Sequence, residues 1–395
     1  MLTVTAPQPH ISPETQPLSV VATRPIRFSL GIMAWNEAGG IVRTLESLFR
    51  QSVFAHLALR DQRCEIFCLA NGCTDGTVSV SRRYFELMDS IHPWAETFSL
   101  RVMDIEQPGR NNAWNRFVHN YSNPESRYIF LMDADIIFQN PDSILNLFTA
   151  LEQNAHADVS SGRQLKDIEF KPHKSLLEKI SIATSTLTGT IDGRFSGQLY
   201  CMRSSIARRL YLPRDLGATD DGFFKAVICS EFFAHKPDGS RIAQVPGSAH
   251  SYEAYITPQD VLNNQKRQMI GQAQVHVLVE HLKTLPAAES TDLAALFVRW
   301  ERDDPDWLKD LLEQHFALKY FFWELFPGLL TFRFKRLGKL PGLRKLTHLP
   351  ATLVGFIVTM IACSRAFHFL KQGRIYYWPK ASRPMPVNSS TPARS

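Results

Sequence analysis

From Thr331 to the last residue the sequence contains no Asp or Glu, against twelve Lys and Arg. The whole chain has 44 Lys and Arg and 38 Asp and Glu, so the part before Thr331 holds 32 basic against 38 acidic residues. The net charge of +6 over 395 residues therefore belongs to one end of the molecule. A basic segment set among apolar runs fits an anionic membrane surface better than nucleic acid, and no nucleic-acid partner is expected. Cysteine is also sparse, with six residues: Cys64, Cys68, Cys73, Cys201, Cys229 and Cys363. None forms a CxxC pair or joins a His at zinc spacing, which excludes a structural zinc module. A disulfide framework is not expected either, and a reducing cytosol is favoured. The opening MLTVTAPQPHISPETQPLSV lacks the basic stretch and apolar run of a secretory signal. Its Pro, Thr, Ser and Gln content predicts a disordered leader over 1–24.

What is present begins with an apolar run, Ile26 to Met33, broken by Asn36-Glu-Ala-Gly-Gly40. A helix is predicted from Ile41 to Phe54. A second strand, Cys64 to Ala70, ends in the turn Asn71 to Gly76, and a helix follows over Thr77–Met88. A third strand, Ser99 to Ile105, leads through Gln107-Pro-Gly109 into a helix over Asn111–Tyr121. A fourth, Tyr128 to Met132, runs into Asp133 and Asp135, with a helix after it at Ile144–Glu152. Strand and helix alternating at this spacing imply βαβ units and a parallel sheet. Beyond about residue 155 the pattern is mixed. Strands are expected near 158–162, 196–202 and 242–245, and helices near 176–188, 222–229 and 258–282.

Each strand ends in residues that could carry chemistry. Asp133 and Asp135 stand at the carboxyl end of an apolar strand, where an α/β sheet binds ligands. Their hard oxygens suit Mg2+ or Mn2+, which bridge to substrate phosphates. Glu37 closes the first strand and could accept a hydrogen bond from a base or a ribose, or serve only a helix start. In Asn71-Gly-Cys-Thr-Asp-Gly-Thr77 the glycines permit tight turns, and Thr74 or Asp75 could cap the next helix. Arg110 could neutralise a diphosphate.

Taken in order, these strings resemble the family-2 glycosyltransferases of GT-A fold. The matching segments are Ala34–Glu37, Asn71–Thr77, Gly109–Asn115, Asp133–Asp135 and Thr219-Asp-Asp221, within a resemblance that spans about Arg27 to Gln274. The resemblance implies an inverting, nucleotide-sugar-dependent transferase. It places Glu37, Asn71, Asp75, Arg110, Asp133 and Gly197 at the donor. Asp135, Asp133 and His250 would hold the metal. Asp221, in the acidic pair with Asp220, would be the general base, and Arg267 would face the diphosphate or the acceptor. Two departures bear on specificity. Ala70 stands where the family has the Asp that reads uracil. Asn264 and Gln268 replace the Gln and Trp of the Gln-x-x-Arg-Trp motif. Rival readings are a sugar-nucleotide pyrophosphorylase, whose Gly-rich loop is lacking after the first strand, and a non-catalytic scaffold on the same fold.

The expected organisation is a GT-A domain over 25–285, a helical, apolar and basic membrane-associated region over 286–380, and a disordered tail over 381–395. Two apolar stretches, Phe316–Phe332 and Leu346–Ser364, flank the basic segment Arg333–Lys345. The second approaches the length of a bilayer span, but a re-entrant or interfacial helix pair fits equally well. The partners expected are therefore a nucleotide-sugar, a lipid or glycan acceptor and a membrane, with the catalytic domain on the cytosolic face.

Overall fold

The computed structural model describes residues 24–175, 178–179, 181–182, 195–217, 220–255, 257–319, 321–326, 328, 331–340 and 342–375. The expected leader and tail, most of the helix expected near 176–188, and Thr219 lie outside these residues. Eight strands form one sheet: β1 (Ile26–Ala34), β2 (Arg63–Asn71), β3 (Phe98–Ile105), β4 (Tyr128–Asp133), β5 (Ile137–Phe138), β6 (Val159–Lys166), β7 (Leu199–Arg203) and β8 (Ile242–Tyr252). Their spatial order is β3-β2-β1-β4-β7-β6-β8-β5. The first four pair in parallel, β4 pairs with β7 antiparallel, and the far half is mixed. The parallel sheet read from the alternation is present, and the ambiguous region after residue 155 supplies its second, mixed half.

The strands of the parallel half are apolar on both faces because helices cover both. Alternate residues divide between two cores. Phe28, Leu30 and Ile32 of β1, with Tyr128, Phe130 and Met132 of β4, join one. It is completed by α1 (Ile41–Phe49), α2 (Val53–Leu59), part of α3 (Thr77–Ile91) and α5 (Ser143–Gln153). Met33, Ile129 and Leu131 join the other, with α4 (Arg110–Arg116), α6 (Asp220–Cys229) and the long α7 (Pro258–Lys283). α7 starts where the sequence signals a start. The Thr257 hydroxyl accepts the Asp260 amide at 3.1 Å and Pro258 follows at the first helical position.

Boundaries depart from expectation in a few places. The single helix expected over Ile41–Phe54 is two, α1 and α2, because Ser52 N–H turns to the Pro141 carbonyl at 2.9 Å. The helix expected to Tyr121 closes in a π-helical turn, Phe117–Tyr121. β8 is longer than the apolar cue near 242–245, because beyond it β8 keeps pairing with β6 across a register shift.

The C-terminal region holds α8 (Leu293–Asp303), α9 (Trp307–Ala317), α10 (Phe332–Lys339) and α11 (Leu343–Lys371). The apolar stretch Phe316–Phe332 is not one helix. Phe316 ends α9, and Leu325 and Phe326 are buried in the domain core. α11 is the one helix among the described residues with the length and composition to cross a membrane. It packs against α7, α9 and α10.

Candidate active site

The carboxyl ends of β1, β2 and β4 lie side by side in the sheet. At β1 and β2 the loops are tied to each other. The Asn36 side-chain oxygen accepts the Thr74 amide at 2.7 Å, and the Glu37 amide reaches the Thr77 hydroxyl at 2.8 Å. Asp75 braces both loops, accepting the Ala38 amide at 3.1 Å and the Thr77 amide at 3.0 Å. Gly72 takes a positive φ of 61°, and a Cβ there would lie 2.5 Å from Cβ of Pro108. Only glycine lets the β2 turn pass the β3 loop this closely. Asn71 precedes it, 7% exposed, and its side-chain oxygen has no hydrogen-bond partner among the described residues. A buried acceptor of this kind costs about 1–3 kcal/mol unless something supplies a donor.

Arg110, at the start of α4, organises the centre. Its guanidinium donates to Asp133 at 2.5 Å, to Asp220 at 3.2 Å and to the Gly197 carbonyl at 2.8 Å. Burial works against the charge of Arg110, but Asp133 and Asp220 outweigh it and hold its pKa well above the ordinary value. One side chain thus joins β4, the approach to β7 and the first turn of α6. The Asp133 amide donates to the Gln198 carbonyl at 2.9 Å, fixing the same seam through the backbone. Asp221 follows Asp220 and accepts the Gly222 amide at 2.8 Å.

The acids are short of positive charge. Burial raises Asp133 to about 6, even with Arg110 on it and with Asp135 and Asp220 pushing the same way. Burial, then the neighbouring Asp220, raises Asp221 to about 6. Burial also raises Asp135, and Glu253 adds to it, while Arg110 and Arg267 pull it down. Four aspartates thus face two arginines. That deficit fits a divalent cation, and Asp135, with its hard oxygens, is the natural ligand. Among the described residues no three His, Cys, Asp or Glu gather closely enough to hold a metal together. The expected set of Asp133, Asp135 and His250 is therefore not assembled as three ligands. Asp133 is engaged by Arg110, and His250 is fully buried in β8 with Nε2 3.3 Å from the Gln198 side-chain oxygen. With Asp135 as the protein ligand, the remaining coordination of a hard cation would fall to water and phosphate oxygens, a common arrangement for Mg2+.

The structure thus brings Arg110, Asp133, Gly197, Asp220 and Asp221 into one cluster, with Arg267 of α7 acting on Asp135 and Asp221. Glu37, Asn71 and Asp75 lie along the neighbouring strand ends. Three further residues stand beside these groups, and two of them, Glu253 and Tyr255, escaped sequence reading. The Tyr200 hydroxyl accepts the Trp114 indole N–H at 2.7 Å beside the Arg110 cluster. Glu253 and Tyr255 stand near Asp135 and Arg267 at the end of β8. Trp114 lies inside the Gly109–Asn115 motif, and Tyr200 closes the segment Gly197-Gln-Leu-Tyr200, which resembles the family's strand beside the donor sugar. Nothing local marks Glu253 or Tyr255.

Residues 29–207 match the model of glycosyl transferase family 2. No curated protein matches the sequence. Among solved structures, S. aureus TarS 1-349 shares 14% identity at a TM-score of 0.40, over 88% of this chain and 90% of that one. Glucosyl-3-phosphoglycerate synthase from Mycobacterium tuberculosis, in complex with Mn2+, UDP-glucose and phosphoglyceric acid, shares 16% at a TM-score of 0.39, over 66% of this chain and 81% of that one. The βαβ sheet, the ordered motifs at its strand ends and the family match together identify residues 29–207 as a glycosyl transferase family 2 domain of GT-A fold, and the chain as a glycosyltransferase.

Proposed function

We propose that the enzyme moves one sugar, with inversion, from a nucleotide-sugar to a hydroxyl group of a lipid, lipid-linked or glycan acceptor. The observation that carries this reading is the Arg110 cluster, which sets Asp133 and Asp220 on one guanidinium with Asp221 beside them. Arg110 and Arg267 offer cationic contacts for a diphosphate. Asp221 is the base. Its carboxyl, raised to about 6, matches a group that must take a proton near neutral pH. The acceptor O–H gives its proton to Asp221 as the oxygen forms a bond to the anomeric carbon, and the bond from that carbon to the diphosphate oxygen breaks. Bound at Asp135, Mg2+ or Mn2+ would supply positive charge for the departing diphosphate.

The nucleotide lies along the ends of β1 and β2, near Glu37, Asn71 and Asp75. Asn71 supports this placement, since its buried side-chain oxygen is an acceptor awaiting an imide N–H or a ribose hydroxyl. UDP is the nucleotide of choice, with Asn71 reading the base in place of the acid that Ala70 lacks. The chain works at a membrane with its catalytic domain in the cytoplasm. The acid-free basic end and the apolar α11 support that placement, and the free cysteines fit a reducing compartment.

Hydrolysis of a panel of nucleotide-sugars with Mg2+ or Mn2+, without acceptor, tests the reading. One UDP-sugar should be consumed faster than the rest, and its released sugar should carry the inverted anomeric configuration by NMR. Asp221→Asn should bind the donor as the parent chain does and lose turnover. Loss of nucleotide affinity with turnover intact would make Asp221 a binding residue and overturn its role as base.

A further inference from the structure

α11 has two faces of opposite character. Thr352, Gly355, Thr359, Ala362, Cys363 and Ala366 recur every three or four residues and are buried. They form a back face of small side chains against the protein. On the other side Leu343 (81% exposed), Leu346, Leu353, Ile357 (57%) and Ile361 make one apolar stripe open to solvent. The stripe ends at the exposed Arg365. It runs 19 residues, from 343 to 361, or about 28 Å at the rise of an α-helix.

Contacts from α10, α9 and α7 hold α11 and its end in place. The Arg333 guanidinium of α10 donates to the Thr359 hydroxyl at 3.2 Å, and Phe334 of α10 meets Phe356 with ring centres 5.3 Å apart. The Lys371 ammonium donates to the carbonyls of Phe316, Ala317 and Lys319, at and just past the end of α9, at 2.9–3.2 Å. The Gln274 amide of α7 donates to the Ile375 carbonyl at 2.6 Å. A helix crossing a bilayer must offer apolar surface all round for about 30 Å. Here only one face is available, and crossing would require stripping α10 away and exposing Arg333 to lipid.

We infer that α10 and α11 form an in-plane docking surface for an anionic lipid bilayer, with the stripe among the acyl chains and α11 not crossing. This rests on the membrane placement proposed above and specifies its geometry. The lipid is identified by charge. The exposed Lys335, Lys339 and Lys345 lie on α10 and the first turn of α11, and no acid occurs anywhere after Thr331. Basic side chains around an apolar face are the pattern of an interfacial helix. Phe321 and Trp323, exposed and stacked at 4.4 Å, stand at the start of a short helical turn, Phe322–Leu325, that packs on α11, and they supply interface aromatics.

The full-length chain should be sedimented with sealed vesicles of phosphatidylcholine alone or mixed with phosphatidylglycerol. Binding to the anionic vesicles should be tight and weak to the neutral ones. Leu346→Glu with Ile357→Glu should cut it at least about tenfold, while Leu59→Glu, exposed on α2, should leave it unchanged. Replacing Lys335, Lys339 and Lys345 by Gln should cut it about a hundredfold, at about fivefold per lysine. Retained nucleotide affinity shows that each variant folds. An environment-sensitive dye at Gln372→Cys, just past the far end of α11, with the unsubstituted chain as blank, should be quenched fully by dithionite added outside. Binding with the dye protected would show that α11 crosses, and would overturn the in-plane geometry alone. Absence of binding to any vesicle, or self-association of the chain through the stripe, would overturn membrane docking itself, with the glycosyl-transfer assay unaffected.

Discussion

Asp221→Asn should make the free enzyme more stable while it abolishes transfer. Burial and the neighbouring Asp220 raise the Asp221 carboxyl from 3.8 to about 6 in the folded chain. A carboxyl that binds its proton more tightly when folded favours the native state where it is protonated. Below about pH 3.8 the group is neutral in both states and contributes nothing. Between there and about pH 6 the unfolded chain ionises first, and stability is lost progressively as pH rises. Above about pH 6 the loss is complete. A difference of about two pH units corresponds to about 3 kcal/mol, which partial access of solvent to Asp221 reduces to about 1–2 kcal/mol. Asparagine carries no charge and can still accept the Gly222 amide. The variant should therefore melt about 1–3 °C above the parent at pH 8 without metal or nucleotide. The gap should close as pH falls toward 4. Thermal unfolding followed by circular dichroism across pH 4.5–8 measures it. A gap of constant size over that range, or a variant less stable than the parent at pH 8, would refute the argument that Asp221 is held at an energetic disadvantage.

Three further outcomes are expected. Asp135→Asn should lower turnover at least about a hundredfold, as for loss of one transition-state electrostatic contact, and full activity of the parent in EDTA would remove the metal from the reaction. Arg110→Met leaves Asp133 and Asp220 without their cation, so it should destabilise the chain by about 3 kcal/mol in denaturant unfolding, and an unchanged midpoint would contradict the clasp. Gly72→Ala forces a Cβ against Pro108 at positive φ, so it should cost about 2 kcal/mol or more and raise KM for the donor, and unchanged donor kinetics would separate this turn from the nucleotide.

The sheet edge of the site was legible in the sequence because it is local. Each parallel strand is a short apolar run, and the polar residues that follow it fall at its carboxyl end. Asp133 and Asn71 could be placed from their own neighbours alone. The cluster around Arg110 was not legible as a cluster. Its partners are Asp133, 23 residues on, the Gly197 carbonyl, 87 residues on, and Asp220, 110 residues on, and two of these arrive through a region whose pattern is mixed. The Arg at the head of α4 could be read as a diphosphate contact, but not as the group that holds both acids. The surroundings of His250 were hidden for the complementary reason. Its position after β6 and β7 resembles a ligand's, while the pairing of β8 with β5 and β6, which buries it inside the sheet, depends on strands far apart in sequence. The apolar content of 316–332 was visible, but its division between α9 and the domain core depends on Phe316, Leu325 and Phe326 finding partners far away in the chain.

The seam between β4 and β7 divides the sheet. On one side, from Ile26 to Asp133, the strands are parallel and consecutive, and they form the edge along which a nucleotide is proposed to lie. On the other side the chain returns antiparallel, and only there do Gly197, Asp220 and Asp221 appear. The two halves meet along the antiparallel β4–β7 ladder, and at its active-site end one guanidinium is bonded to both. On the proposed roles, Glu37, Asn71 and Asp75 at the nucleotide come from the first stretch of sequence, and the base Asp221 comes from the second.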